Sequence, residues 1–276
     1  MRIIPDYHAL IVRSRTKVTP ELLKAAKQLS VVGRAGVGVD NVDLGAATKQ
    51  GVAVVNTPVS TSVAVAEHTF ALMLALLRQL PRADASMKAG LWLKKELEGA
   101  ELNEKTLGIL GVGNIGAQVA RRAAAFDMQV LGYDPLLEEK TIQARGAKPA
   151  SLDELYAQSD LITLHLPLLP ETRGMLDEAA FAKMKKGAYL ICAARGGVID
   201  EAALVKALSS GQLTGAALDV YETEPPGASA LVTHPKVITT PHIAAQTAEA
   251  QARAALDVAD EVLSALNGRP LRWQVN

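Results

Sequence analysis

Residues 107–134, LGILGVGNIGAQVARRAAAFDMQVLGYD, pass three glycines at 111, 113 and 116 and close on Asp134. A Gly-x-Gly-x-x-Gly run gains meaning from its setting: an apolar strand before it, a helix after it and an acid near the end of the next strand. All three conditions hold here. Gly111 permits a tight turn, Gly113 lets the backbone approach a pyrophosphate, and Gly116 lets helix and strand pack closely. Asn114, Ile115 and Gly116 open a helix whose first amides face the phosphates. Asp134, eighteen residues beyond Gly116, is placed to accept hydrogen bonds from ribose hydroxyls. Its charge would repel a 2′-phosphate, which favours NAD over NADP. The glycines alone are also compatible with a turn that holds no ligand and with a methyltransferase nucleotide site. The latter seldom needs the third, close-packing glycine.

A dinucleotide does not define a reaction, and further chemistry lies in the second half. ICAARGGVIDE puts Arg195 just after an expected strand, with two glycines behind it that let the backbone turn sharply. AALDVYETEPP ends another strand with Asp219 and continues to Glu224, and TTPHIAAQT carries His242 behind Pro241. Each lies at or just beyond the carboxyl end of a strand, the edge that forms the ligand crevice of an open parallel sheet. Taken singly, each also has a plainer role open to it: Arg195 pairing with an acid, Glu224 on a solvated loop, His242 at the surface. His165, after an apolar strand, is expected to line the adenosine side of the cofactor with Pro167. His68 belongs to an apolar helix, and His8 and His234 are expected at the surface. No histidine pair has helical ligand spacing with acids nearby, so no metal is expected.

The elements that must position these residues follow from the hydrophobic pattern. Short Val, Ile and Leu runs bounded by Gly or Pro alternate with Ala-rich helical stretches. Strands are expected at 9–12, 52–55, 106–110, 129–133, 161–165, 188–192, 215–218 and 237–239. Several are apolar throughout, as strands buried on both faces are, and the alternation with helices gives an α/β chain of parallel βαβ units. Residues 60–80, STSVAVAEHTFALMLALLRQL, form a helix apolar around most of its circumference, which calls for burial on several sides. At 276 residues the chain has room for two cores, and 49% hydrophobic with 21% charged residues predicts a folded globular protein. Lys plus Arg and Asp plus Glu both number 29, so no net charge draws it to nucleic acid or anionic lipid. The longest apolar run, 70–77, is too short to span a bilayer and the start lacks the apolar core of a secretion signal. Cys192 is the only cysteine, which excludes an intrachain disulfide and fits the cytoplasm.

The combination of LGVGNIG, YDP, HLPLLPETRGML, ARGGVIDE, GAALDVYETEPP and TPHIAAQT resembles the NAD-dependent D-2-hydroxyacid dehydrogenases, along nearly the whole chain. LIVRSRTKVT and GRAGVGVDNVD resemble the D-3-phosphoglycerate branch more than the formate, lactate or glyoxylate branches. The ending GRPLRWQVN resembles the short form without a regulatory serine-binding domain. The resemblance implies that His242 moves the hydroxyl proton, Glu224 orients its ring, Arg195 clamps the substrate carboxylate, and Asp219 holds the nicotinamide carboxamide. A segment matching GLWLKKELEGAEL usually contributes an arginine across a dimer; here Lys94 stands in its place, without the fork geometry. In the first third, the amides of Val37, Gly38 and Val39 suit a carboxylate and Arg13 with Ser14 would reach a phosphate. The alternative is a solvated basic face made by Arg13, Arg15, Lys17 and Arg34. Relatives normally begin with a further strand, helix and strand, so the substrate domain is expected to be incomplete at its N-terminus.

These readings predict two Rossmann-like parallel-sheet domains. The substrate domain comprises residues 1–57 completed by 246–276, and the NAD-binding domain residues 58–245. The expected reaction is oxidation of 3-phospho-D-glycerate to 3-phosphohydroxypyruvate by a cytoplasmic homodimer. A glyoxylate or hydroxypyruvate reductase is the alternative among enzymes, and an NAD-binding sensor or corepressor without turnover the alternative of another class.

Overall fold

The structure, a computed structural model, describes residues 4–276; residues 1–3 of the expected substrate domain lie outside the described residues. By contacts the chain divides into Met1–Ala64 with Ala245–Asn276, and Val65–Ala244.

The first unit holds a three-stranded parallel sheet, β1 (Ala9–Val12), β2 (Val31–Arg34) and β3 (Ala53–Val55), in that order. Its short helices begin where side chains can accept the first free amides. Thr19 accepts from Leu22 N before α1 (Pro20–Ala25), which has proline in its first turn, and Asp43 accepts from Ala46 N before α2 (Leu44–Lys49). The long C-terminal helix of this unit, Ala248–Leu266, starts at Thr247, which accepts from Ala250 N. Its Val258 and Val262 pack on Val31 and Val55. Gly33 makes that approach possible: a Cβ there would stand 2.6 Å from Val258 Cγ2.

The second unit carries α3 (Ser62–Leu77, entering from its first turn), α4 (Leu80–Lys88) and then a seven-stranded sheet. The strands are β4 (Thr106–Leu110), β5 (Gln129–Tyr133), β6 (Lys148–Pro149), β7 (Leu161–Leu164), β8 (Ala188–Cys192), β9 (Leu213–Leu218) and β10 (Val237–Thr239). The helices between them are α5 (Asn114–Ala124), α6 (Glu139–Ala144), α7 (Leu152–Gln158), α8 (Glu178–Lys183) and α9 (Glu201–Ser209), which makes Ala248–Leu266 α10. The order β10-β9-β8-β7-β4-β5-β6 is parallel throughout. Period-two alternation explains the apolar runs. Leu107, Ile109, Leu161, Ile191 and Ala217 face one core with α3 and α5. Leu110, Ile162, Leu164, Leu190 and Leu218 face the other with α7, α8 and α9. The expected α/β fold with parallel sheets is thus observed. Among the described residues no single helix is long and apolar enough to cross a membrane.

Strand register aligns the chemistry. Leu110 pairs with Tyr133 and Leu164, Leu164 with Cys192, Cys192 with Leu218, and Leu218 with Thr239. The carboxyl ends of six strands therefore form one row. Gly111, Asp134, His165, the 193–195 turn, Asp219 and the 240–242 turn each follow directly. The order reverses at β4, which has β5 on one side and β7 on the other, the switch point at which such sheets bind ligands.

Candidate active site

The glycine turn between β4 and α5 is built as its spacing predicts. Gly111 has φ +90°, a left-handed conformation, and a Cβ there would lie 2.7 Å from His165 O. At Gly116 a Cβ would stand 2.1 Å from Gly111 O, so only glycine lets the helix sit this close. Gly113 is different: it is the N-cap of α5, makes no side-chain cap bond, and has nothing within 4 Å of where a Cβ would be. Open space before a helix start without a capping side chain fits a pyrophosphate. Asn114 and Ile115 form the first turn of α5.

Asp134 follows β5 with its carboxylate held in place: Oδ2 accepts from Val112 N at 3.0 Å and Oδ1 from Leu136 N at 3.0 Å. Arg145, which motif reasoning passes over, grips the same turn from the other side, donating Nη1 to Val112 O at 2.5 Å. His165 follows β7. Its Nε2 lies 3.1 Å from Thr163 Oγ1 and its Nδ1 is buried without a hydrogen-bond partner. Burial pushes its pKa down to about 3, so the ring is neutral. Pro167, two residues on, is exposed.

At the other end of the row, His242 Nδ1 lies 2.8 Å from Glu224 Oε2. A carboxylate only accepts, so Nδ1 carries the hydrogen and Nε2 is the remaining nitrogen. The second oxygen of Glu224 accepts from Tyr221 N at 3.2 Å, which fixes the carboxylate to its own loop. Both partners are partly open, with side-chain exposures of 48% for His242 and 39% for Glu224, as groups that meet a ligand must be. His242 itself has φ +53°, a conformation seldom adopted outside glycine.

Asp219 holds this strained turn. It is fully buried, and its oxygens accept from Thr240 Oγ1 (2.6 Å), Ile243 N (2.9 Å) and Ala244 N (2.8 Å), while its carbonyl accepts from His242 N (2.9 Å). Burial alone would raise its pKa, but the nearby His68 ring and the hydrogen bonds from Thr240 and the two amides outweigh it and hold the carboxyl below its ordinary value. Tyr221 adds a brace, its hydroxyl bonding Leu218 O and Thr240 O at 3.2 and 3.0 Å.

Arg195 follows β8, partly buried, with Nη1 donating to Ala194 O at 2.7 Å. Its loop abuts the loop of Glu224: a Cβ on Gly196 would fall 1.7 Å from Tyr221 O. Glu201, at the start of α9, joins the two by accepting from Glu222 N at 2.7 Å.

The predicted substrate residues Arg13, Ser14, Val37, Gly38 and Val39 belong to the first unit. Arg13 is exposed and donates Nη2 to Gln246 Oε1 at 3.2 Å, and Asn41 Nδ2 fixes its loop by donating to Arg13 O and Thr16 O. Ser14 is exposed, and residues 37–39 are partly buried in a turn that Asn56 holds through Val37 O at 2.7 Å. Lys94 stands exposed beyond α4 in the second unit.

Residues 70–244 match the family described as D-isomer specific 2-hydroxyacid dehydrogenase, NAD binding domain. D-3-phosphoglycerate dehydrogenase of Sus scrofa is 50% identical over 273 residues, 99% of this chain and 51% of that protein. The enzyme of that name from Archaeoglobus fulgidus is 47% identical over 277 residues, 100% of this chain and 53% of its own length. The chain thus spans about half the length of these relatives. Among solved structures, a glyoxylate reductase from Paecilomyes thermophila shares 38% identity at a TM-score of 0.91, covering 98% of this chain and 84% of that one. D-lactate dehydrogenase from Aquifex aeolicus, complexed with NAD and lactic acid, shares 34% identity at a TM-score of 0.85, covering 97% of this chain and 85% of that one.

Proposed function

The chain belongs to the D-isomer specific 2-hydroxyacid dehydrogenase family, with residues 70–244 as its NAD-binding domain, and from this we propose that it oxidises 3-phospho-D-glycerate to 3-phosphohydroxypyruvate with NAD. The observation that carries the reaction class is the His242–Glu224 pair, 2.8 Å apart, at the carboxyl edge of a sheet whose switch point holds a glycine turn shaped for a dinucleotide.

His242 Nε2 accepts the proton of the substrate hydroxyl. Glu224 fixes the ring through Nδ1–H and stabilises the imidazolium that forms. Arg195, on the loop that abuts Glu224, binds the substrate carboxylate and polarises the reacting oxygen. The glycine turn at 111–116 and Asp134 would hold NAD, which when bound would accept the hydrogen on carbon 2 as hydride. In the reverse direction imidazolium returns the proton. Asp219 makes its main contribution by holding the turn that carries His242. Val37, Gly38 and Val39 offer backbone amides to the substrate, and Arg13 and Ser14 meet its phosphate.

We further take the working form to be a homodimer. Leu80, Met87, Leu91 and Trp92, on and just after α4, are all exposed, Trp92 by 75%, and such an apolar face calls for a partner. Lys94 lies beside it. A single buried cysteine, Cys192, supports a reducing compartment, the cytoplasm.

The test is steady-state NADH formation with 3-phosphoglycerate, glycolate, glycerate and D-lactate, beside an NADH-binding titration and sedimentation of the same preparation. Turnover highest with 3-phosphoglycerate, falling at least about tenfold in kcat/KM on Arg13→Ala, with a sedimenting dimer, is the expected result. Turnover of the unphosphorylated acids that ignores Arg13→Ala contradicts the substrate. NAD binding without any turnover contradicts the enzyme and favours a sensor.

A further inference from the structure

His68 is a partly buried polar ring on α3, between Ala66 and Phe70, which are core residues. A polar ring in such a helix requires a partner. The partner it finds is the turn that carries His242: Nε2 lies 3.1 Å from Thr240 Oγ1 and 3.6 Å from Asp219 Oδ1.

The direction of these bonds follows from counting protons. The Asp219 carboxylate, engaged by backbone amides, only accepts. The single hydroxyl proton of Thr240 is committed to Asp219 Oδ1 at 2.6 Å. The oxygen of Thr240 is then left to accept, and His68 Nε2–H is its donor. A directed chain results: His68 to Thr240, Thr240 to Asp219, and Asp219 receiving the amides of Ile243 and Ala244 on either side of its carboxylate. His242, at φ +53°, sits inside the loop this chain closes, with its own amide on Asp219 O. A residue in a left-handed conformation stays there only when its surroundings over-determine it.

We propose that His68 is a positioning residue: by donating to Thr240 it fixes the rotamer through which Asp219 holds the His242 turn, and so sets where His242 Nε2 points. The proposal rests on His242 as the proton-transfer group, and its test separates the two ideas. A histidine that merely filled space on α3 would be replaced equally well by any side chain of its size. A donor in a chain would be replaced only by another donor.

The experiment compares His68→Leu, His68→Gln, Thr240→Val and the double variant His68→Leu/Thr240→Val. It measures kcat with the best 2-hydroxy acid, NADH affinity by fluorescence, and the 15N ring resonances of His242 in the complete labelled chain. His68→Leu is expected to lower kcat about tenfold or more, because small misplacement of a reacting group is costly, with NADH affinity within about twofold of the parent. The His242 ring resonances move in the same variant. His68→Gln, whose side-chain amide reaches the same oxygen as a donor, restores most of the rate. The double variant is no slower than the worse single, since both break one chain. Parental kcat and unmoved His242 resonances in His68→Leu overturn the proposal, as does equal loss in Leu and Gln variants or losses that multiply in the double. If the parent chain turns over no 2-hydroxy acid, the reading of the reaction has failed, and the movement of the His242 resonances alone decides the positioning role.

Discussion

His165 and Asp219 show opposite outcomes of burying an ionisable side chain. His165 has one ring nitrogen near Thr163 and the other buried without a partner, so a second proton would have no acceptor; burial pushes its pKa down to about 3. The unfolded chain protonates such a ring near 6.5. The folded state is therefore unaffected above that pH and loses stability as pH falls from 6.5 towards 3, where only the unfolded chain takes up the proton. The expected outcome in a 15N-resolved titration is a His165 ring that stays neutral at pH 5; a midpoint near 6.5 contradicts it. Asp219, with its oxygens surrounded by donors, is held below 3.8 instead. Its contribution is complete above that ordinary value and is lost only as pH drops through the lower, folded-state one. Of these two groups, therefore, the neutral histidine and not the buried carboxylate weakens the folded state between pH 6.5 and 4.

The turn from β4 into α5 separates two uses of glycine, and the separation is measurable. Gly116→Ala sets a Cβ 2.1 Å from a backbone oxygen, so the helix must move off the strand and carry its amide-bearing start with it. Gly113→Ala enters open space. The first is expected to cost about 1–3 kcal/mol of stability and at least about tenfold in NADH affinity. The second leaves the melting temperature near that of the parent and weakens NADH binding alone. Equal melting temperatures for both variants would show that the helix does not depend on the third glycine. This turn is legible in the sequence because all its determinants lie within 28 residues, 107–134. The doubly covered strands are legible too, because burial on both faces leaves uninterrupted apolar runs. β2 escapes the pattern: VVGR is four residues long and ends on glycine and arginine, which makes sense only with α10 crossing above Gly33. β6 escapes it because it is two residues long and contains Pro149, which an edge position tolerates.

At the level of the whole chain, the sheet register gathers into one row residues that the sequence scatters. Motifs place Arg195, Glu224 and His242 near strand ends, but not the side chains that hold them. Thr240, Tyr221 and Glu201 lie inside those motifs without a role assigned to them and His68 lies outside them, and the His68–Thr240 contact joins positions 172 residues apart, so no local pattern reveals it. The same register puts the glycine turn and the His242–Glu224 pair on one edge of one sheet. The proposed reaction requires that pair to move the proton of a 2-hydroxy acid bound there. The most direct test is His242→Asn in the complete chain, with NADH affinity and single-substrate NADH formation measured on one preparation. The account predicts unchanged NADH affinity and a kcat lower by about 10²–10⁴-fold, the range that a positioned acid–base group supplies. A variant that binds NADH normally and turns over within a few-fold of the parent would contradict it.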